Sequence, residues 1–288
     1  MQRTRLRARR GGAGPISSGP PDFVGVGAAS SGVGGWHDLL LKHPEIEPRR
    51  SAERELHFFD QFCTREMSDA DVASYHARFP RRVGKIAGEW TWRYMYDAWT
   101  PLLLHRAAPD AKLLVLVSDP IERYRARLAG GLRDHLLLTD AASRGRYGSQ
   151  LRNLVSFYEP CMILVLQYER CRLDPAGEYA RTLRFLGIGD DFQPERFRLP
   201  SLDDEAGFDG RGRGLLRRLK RTVRPRPTGG ANRLWPDLEA SILADLEPEV
   251  LELKTMVPDL DLNLWPSFAH LAAPTSSGGR RTDGSGPA

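Results

Sequence analysis

The chain has 288 residues, 41% hydrophobic and 27% charged, with 28 Gly, 21 Pro and three Cys. It is long enough for one large domain or two small ones, and too poor in cysteine and too aperiodic for a disulfide framework or a fibrous repeat. The net charge of +5 arises from 42 basic against 37 acidic residues; only five of the basic ones are lysine, leaving 37 arginines. Arginine forks suit phosphate and sulfate, and composition alone is no reason to expect a nucleic-acid partner.

Cys63, Cys161 and Cys171 form no CxxC pair, so neither a metal site nor a redox motif is expected. They suit a reducing compartment, with Cys63 and Cys161 expected as small buried apolar residues. No apolar run approaches the roughly 18–20 residues of a membrane helix, and the basic N-terminus lacks the apolar core of a secretory signal. The expectation is a soluble, cytoplasmic protein of undetermined oligomeric state.

In chain order, residues 1–20 are Arg, Gly, Ser and Pro and read as a disordered basic arm. The span 21–271 reads as one domain. Asp22 to Gly27 is short and β-prone, small residues follow to Gly35, and Trp36 to Leu41 has helical character: strand, glycine loop, helix. An aromatic stretch spans Arg54 to Met67, after which Ser68 or Asp69 caps a helix running to about Phe79. A short strand is predicted over Lys85 to Glu89 and a helix over Pro101 to Ala108.

Lys112 to Val117 (KLLVLV) is a continuous apolar run of the kind a parallel strand covered on both faces requires. It ends at Ser118-Asp119-Pro120, and a helix starts at Ile121. One long helical region is predicted over Ala141 to Tyr158, a second buried strand over Met162 to Leu166, and a helix over Ala176 to Leu186 stopped by Gly187. Residues 201–232 read as a basic mobile excursion, either a solvated loop or part of a substrate wall. A last helix spans Pro236 to Met256, Trp265 packs near the end, and 272–288 read as a disordered Gly/Ser/Thr tail. Strands alternating with helices predict an α/β fold with a central, mainly parallel sheet flanked by helices. The ends of the strands at 23–27, 112–117 and 162–166 then share one edge, where ligands bind in such folds.

Three segments have residues suited to chemistry. The loop Gly27-Ala28-Ala29-Ser30-Ser31-Gly32-Val33-Gly34-Gly35 is a phosphate cradle or a tight packing turn, and lacks the Gly-Lys-Ser/Thr ending of a Walker motif. In Arg54-Glu55-Leu56-His57-Phe58-Phe59-Asp60 a carboxylate lies two residues from an imidazole beside aromatic bulk, either a desolvated base or an exposed charge next to the core. Ser118-Asp119-Pro120-Ile121-Glu122-Arg123 ends the buried strand, where a ligand is reasonable, although Glu122 and Arg123 equally suit a surface ion pair. The aromatics Trp90, Trp92, Tyr94, Tyr96 and Trp99 suit a cleft lining or the core. Tyr147, in the Gly145-Arg146-Tyr147 turn, suits a ligand contact or, the weightier reading, packing.

Taken in order, these segments resemble the sulfotransferases that use 3′-phosphoadenosine 5′-phosphosulfate (PAPS), especially their bacterial and carbohydrate-type branch. The resemblance rests on PDFVGVGAASSG…WHDLLLKHPEI at 21–46, RELHFFD at 54–60, GEWTWRYMYD at 88–97 and LLVLVSDPIERYRARL at 113–128. GRYGSQL at 145–151, ILVLQYERCRLDP at 163–175 and FLGI at 185–188 extend it to about Gly189. It implies a P-loop-like three-layer α/β domain and metal-independent sulfuryl transfer from PAPS to a hydroxyl or amine of a carbohydrate, lipid or small molecule. Glu55 would be the acceptor-side base, assisted by His57. The donor would lie across Ala29, Ser30, Ser31, Gly32, Val33, Gly34 and Gly35, with Ser118 and Ala126 at its 3′-phosphate. Against the family pattern, Ser30 replaces a basic residue and Val33 and Gly34 replace two threonines. Ser118 replaces an arginine, Ala126 a serine, and Trp92 a proline. The alternative is a sulfotransferase fold that lost catalysis and serves as a binding or scaffold module.

Overall fold

In a computed structural model, residues 15–48, 54–129, 135–202 and 236–272 are described. Most of the basic arm, nearly all of the basic excursion and the tail fall at 1–14, 203–235 and 273–288, outside the described residues. The strands are β1 Ile16–Ser18, β2 Phe23–Gly27, β3 Pro80–Arg82, β4 Gly88–Trp90, β5 Lys112–Val117 and β6 Ile163–Gln167. The helices are α1 Val33–Leu40, α2 Asp69–His76, α3 Thr100–Ala107, α4 Pro120–Ala129, α5 His135–Ser143, α6 Tyr147–Val155, α7 Tyr168–Leu173, α8 Pro175–Leu186 and α9 Pro236–Met256.

The apolar run at 112–117 is the spine of the molecule. Leu113 to Val117 have no exposed surface, and β5 pairs in parallel with β2 on one side and β6 on the other. With β4 beyond β2, the sheet order is β4-β2-β5-β6, all parallel. Alternate residues face opposite layers, as the two-residue period of a strand dictates. Val24, Leu113 and Val115 pack with Leu104 of α3, Leu154 of α6 and Leu253 of α9. Phe23, Leu114 and Leu116 pack with Trp36 and Leu40 of α1 and Leu183 of α8. The expected three-layer α/β architecture is therefore present. Truncating Leu114 or Leu116 to Ala would cost about 2–5 kcal/mol.

Local signals mark several boundaries. Ser68 caps α2 in a reciprocal box with Asp71, although the helix stops at His76 rather than Phe79. Asp174 caps α8, and Gly187 ends it at φ 78°.

Four expectations are corrected. Ile16–Ser18, placed in the disordered arm, pairs antiparallel with β3; backbone pairing needs no apolar pattern, so the sequence does not announce it. The helical region at 141–158 is two helices, because the chain turns at Gly145, whose N–H bonds back to Ala142 O at 2.8 Å. Cys63 and Cys161 are exposed, each at the surface of a 3-10 turn, while Cys171 on α7 is buried. Glu122 pairs with Arg125 rather than Arg123.

This strand order reverses direction of growth at β2: β4 lies to one side and β5 to the other. A ligand in such a sheet sits outside the carboxyl ends of the strands at that switch point. Here that is the crevice between the loop after β2 and the loop after β5.

Candidate active site

The loop after β2 turns sharply into α1. Ser30 has φ 56° and Gly32 φ 86°, both left-handed. Gly32 is required there twice over, since a Cβ would also meet the Tyr168 ring at 2.6 Å. Tyr168 is anchored in turn by donating its hydroxyl to Pro200 O at 2.8 Å. The turn buries Ser31 completely, and its hydroxyl lies 2.9 Å from that of Ser118, also fully buried. The two segments assigned to the donor thus meet at the switch point through a hydroxyl pair.

Of the other donor-side residues, Ala29 and Val33 are buried in the core against α8, and Gly35 is covered by Pro200. Ala126 is buried on α4. Asp119 is occupied structurally. Its carboxylate accepts the N–H groups of Ile121 (2.9 Å), Glu122 (3.2 Å) and Ser267 (3.0 Å), capping α4 and tying the segment around Ser267 to it. Glu169 completes this corner, accepting from Asp119 N–H and Trp265 Nε1–H. Burial, foremost, pushes its carboxyl up to about 7.

Two of the arginines that follow Ser118 have protein partners. Arg125 pairs with Glu122 and Glu239. Arg123 is 1% exposed and donates to Ala141 O at 2.6 Å. Tyr147 is fully buried against Trp265, with ring centroids 6.3 Å apart, in agreement with packing.

The second constellation lies where the segment after β4 runs past the end of β2. Thr91 N–H bonds to Gly25 O at 2.9 Å, and Met95 N–H to Val26 O at 2.7 Å. Thr91 then holds the 55–57 segment. Its buried hydroxyl accepts from Leu56 N–H at 3.1 Å and donates to Glu89 Oε2 at 2.7 Å. Glu89, 2% exposed, also accepts from the hydroxyls of Tyr75 (2.7 Å) and Tyr94 (3.2 Å). Burial raises its carboxyl above the ordinary range against those three hydrogen bonds. The Tyr94 hydroxyl accepts Phe58 N–H at 3.0 Å. Glu89 therefore governs the backbone around His57 through two hydroxyls.

Held in this way at φ 47°, His57 sits between two carboxylates: Nε2 is 2.9 Å from Glu55 Oε2 and Nδ1 3.2 Å from Asp60 Oδ2. The two neighbouring carboxylates, Asp60 foremost and then Glu55, raise its pKa from 6.5 to about 9, outweighing partial burial. The raised pKa favours the imidazolium at neutral pH, which donates Nε2–H to Glu55, while Nδ1 stands at ion-pair distance from Asp60 without hydrogen-bond geometry. All three side chains keep between a fifth and a third of their surface open. Trp92 meets the ring edge-on at 6.1 Å, and the Arg144 guanidinium lies 4.5 Å above the indole.

Glu55 and His57 are thus brought together as expected. Sequence reasoning gave no role to Asp60, although its place three residues after His57 was on view, nor to Thr91, whose function depends on a backbone path no motif displays. Among the described residues, no group of three or more His, Cys, Asp or Glu is arranged to hold a metal ion. None of their helices is long and apolar enough to cross a membrane.

No family model matches the chain. It is 31% identical over 209 residues to heparan sulfate glucosamine 3-O-sulfotransferase 6 of Mus musculus, covering 64% of this chain and 58% of that protein. Identity to the human protein of that name is 30% over 198 residues, covering 60% and 56%. The chain therefore spans little more than half the length of these relatives. Among solved structures, a sulfotransferase from Alicyclobacillus acidocaldarius superposes with a TM-score of 0.60 at 20% identity, over 85% of this chain and 98% of that one.

Proposed function

We propose that this chain, related to the sulfotransferases in sequence and fold, transfers a sulfuryl group from PAPS to a hydroxyl or amine of a carbohydrate, lipid or small-molecule acceptor. The observation that carries the reading is the Glu55–His57–Asp60 array, fixed by Thr91 at the same sheet edge as the Ser31–Ser118 contact. The names of the curated relatives favour a carbohydrate acceptor.

In this reaction the acceptor oxygen or nitrogen attacks sulfur in line, the bond from sulfur to the bridging phosphate oxygen breaks, and 3′,5′-adenosine bisphosphate departs. Glu55 takes the acceptor's proton. His57, held as a cation, donates to the Glu55 carboxylate and orients it, while Asp60 fixes the far side of the ring. The donor would rest on the loop at 29–35, whose backbone N–H groups open α1.

The test is transfer of labelled sulfate from PAPS to a panel of acceptors that includes heparan sulfate. The reading expects incorporation that falls roughly 100-fold or more in Glu55→Gln, the range of a lost general base. Absence of incorporation on every acceptor, together with nucleotide binding, would favour the binding-module alternative, to which the unusual residues at 30, 33, 34, 118 and 126 lend support.

A further inference from the structure

The ring plane of His57 is not set by its own side chain. The terminal torsion of a histidine is broad, and a third of this side chain is open to solvent. Glu55 holds Nε2 by a hydrogen bond, but the contact of Nδ1 with Asp60 has only the distance of an ion pair. Partly exposed ion pairs fix geometry weakly. Across the ring stands Trp92, with centroids 6.1 Å apart and planes at 84°, the edge-to-face arrangement that aromatic rings prefer.

The indole is itself held. The Arg144 guanidinium carbon lies 4.5 Å from its centroid and 5.6 Å from that of the Tyr96 ring. Trp92 is 9% exposed and the Arg144 side chain 10%, and a cation–π contact gains strength as water leaves it. Arg144 pairs with Asp140, one turn back along α5. Its backbone is fixed too. A Cβ on Gly145 would meet Pro120 at 3.0 Å and Leu246 at 3.3 Å, and Arg123 donates to Ala141 O at 2.6 Å. The turn between α5 and α6 is therefore packed against α4 and α9. On the sheet side, Trp92 stands between Thr91, whose N–H bonds to Gly25 O, and Arg93, which pairs with Asp97 at 2.8 Å.

We propose that Trp92 is a positioning residue for His57, and that Arg144 acts on His57 through Trp92 by clamping the indole that holds the imidazole plane toward Glu55. This rests on the sulfotransferase reading above, in which Glu55 is the base, and adds the turn between α5 and α6 to the acceptor side. The charged groups around His57 are Glu55 and Asp60 on its own segment, Glu89 on β4 and, through the indole, Arg144 with its partner Asp140.

The experiment follows the His57 ring protons of the full chain by NMR across pH, with sulfate-transfer kinetics from PAPS and melting midpoints for every variant. Trp92→Ala should remove the indole ring-current shift from those protons and lower the His57 midpoint by about one pH unit or more, tenfold in proton affinity. Its kcat should fall about 10-fold or more, the scale of a misplaced catalytic group, while KM for PAPS stays within about twofold. Trp92→Phe keeps an edge-on ring and should restore most of the midpoint. Arg144→Met should shift the midpoint the same way by less, and should add nothing to it in the Trp92→Ala background. Unmoved ring-proton shifts and midpoint in Trp92→Ala would overturn the proposal. So would an effect of Arg144→Met that is as large without Trp92 as with it. Should Trp92→Ala fail to fold, Arg144→Met decides by the same readouts, an unmoved midpoint overturning the proposal. An unaltered chain that transfers sulfate to no acceptor removes the sulfotransferase reading, while the NMR comparison still decides whether Trp92 positions the ring.

Discussion

Replacing Asp60 by Asn tests the charge array where it is most exposed to measurement. Asp60 is the largest contributor to the raised pKa of His57, ahead of Glu55. Because His57 titrates at about 9 in the folded chain against 6.5 when unperturbed, its contribution to stability is fully present below pH 6.5 and disappears as pH rises through 9. A shift of that size corresponds to an upper bound of about 3 kcal/mol. A third of the imidazole is open to solvent, so screening reduces the realised value to about 1–2 kcal/mol. Asp60→Asn should therefore move the imidazole midpoint well down toward 6.5, read from its ring-proton chemical shifts by NMR. It should also destabilise the protein by about 1 kcal/mol at pH 7 and by almost nothing at pH 10, read by denaturant unfolding. A wild-type His57 that titrates near 6.5, or a midpoint unmoved by Asp60→Asn, would refute the reasoning.

Other outcomes follow from the same contacts. Ser31→Ala strands the buried Ser118 hydroxyl and should cost about 1–3 kcal/mol, whereas adding Ser118→Ala should recover part of that loss, as a double-mutant cycle by chemical denaturation would show. Glu89→Ala leaves the hydroxyls of Tyr75, Thr91 and Tyr94 without their shared acceptor and should cost at least about 3 kcal/mol in denaturant unfolding, with loss of order around His57. A thiol reagent should modify Cys63 and Cys161 rapidly in the native protein and Cys171 only on unfolding, since burial also pushes the Cys171 thiol well up.

What could be read from the sequence, and what could not, divides along physical lines. Lys112–Val117 was legible because burial on both faces leaves an unbroken apolar run, the strand expected at 162–166 because its run is equally apolar although Ile163 and Val165 are only partly buried, and the α2 cap because Ser68 and Asp71 bond within one turn. The break in the helix before Tyr147 was not legible: it depends on Gly145 packing against Pro120 and Leu246, residues distant in sequence. The pairing of Glu55 with His57 could be read from a spacing of two. Their support could not, because Thr91 reaches them only after β4 has aligned beside β2.

The central claim is that the switch point between β2 and β5, where Ser31 meets Ser118, binds a 3′-phosphorylated adenylate. Calorimetric titration of the unaltered chain with 3′,5′-adenosine bisphosphate, with 5′-AMP as the control, tests it most directly. The account predicts binding with a clear preference for the ligand that carries the 3′-phosphate. No binding at millimolar ligand would contradict it and leave a sulfotransferase fold put to another use.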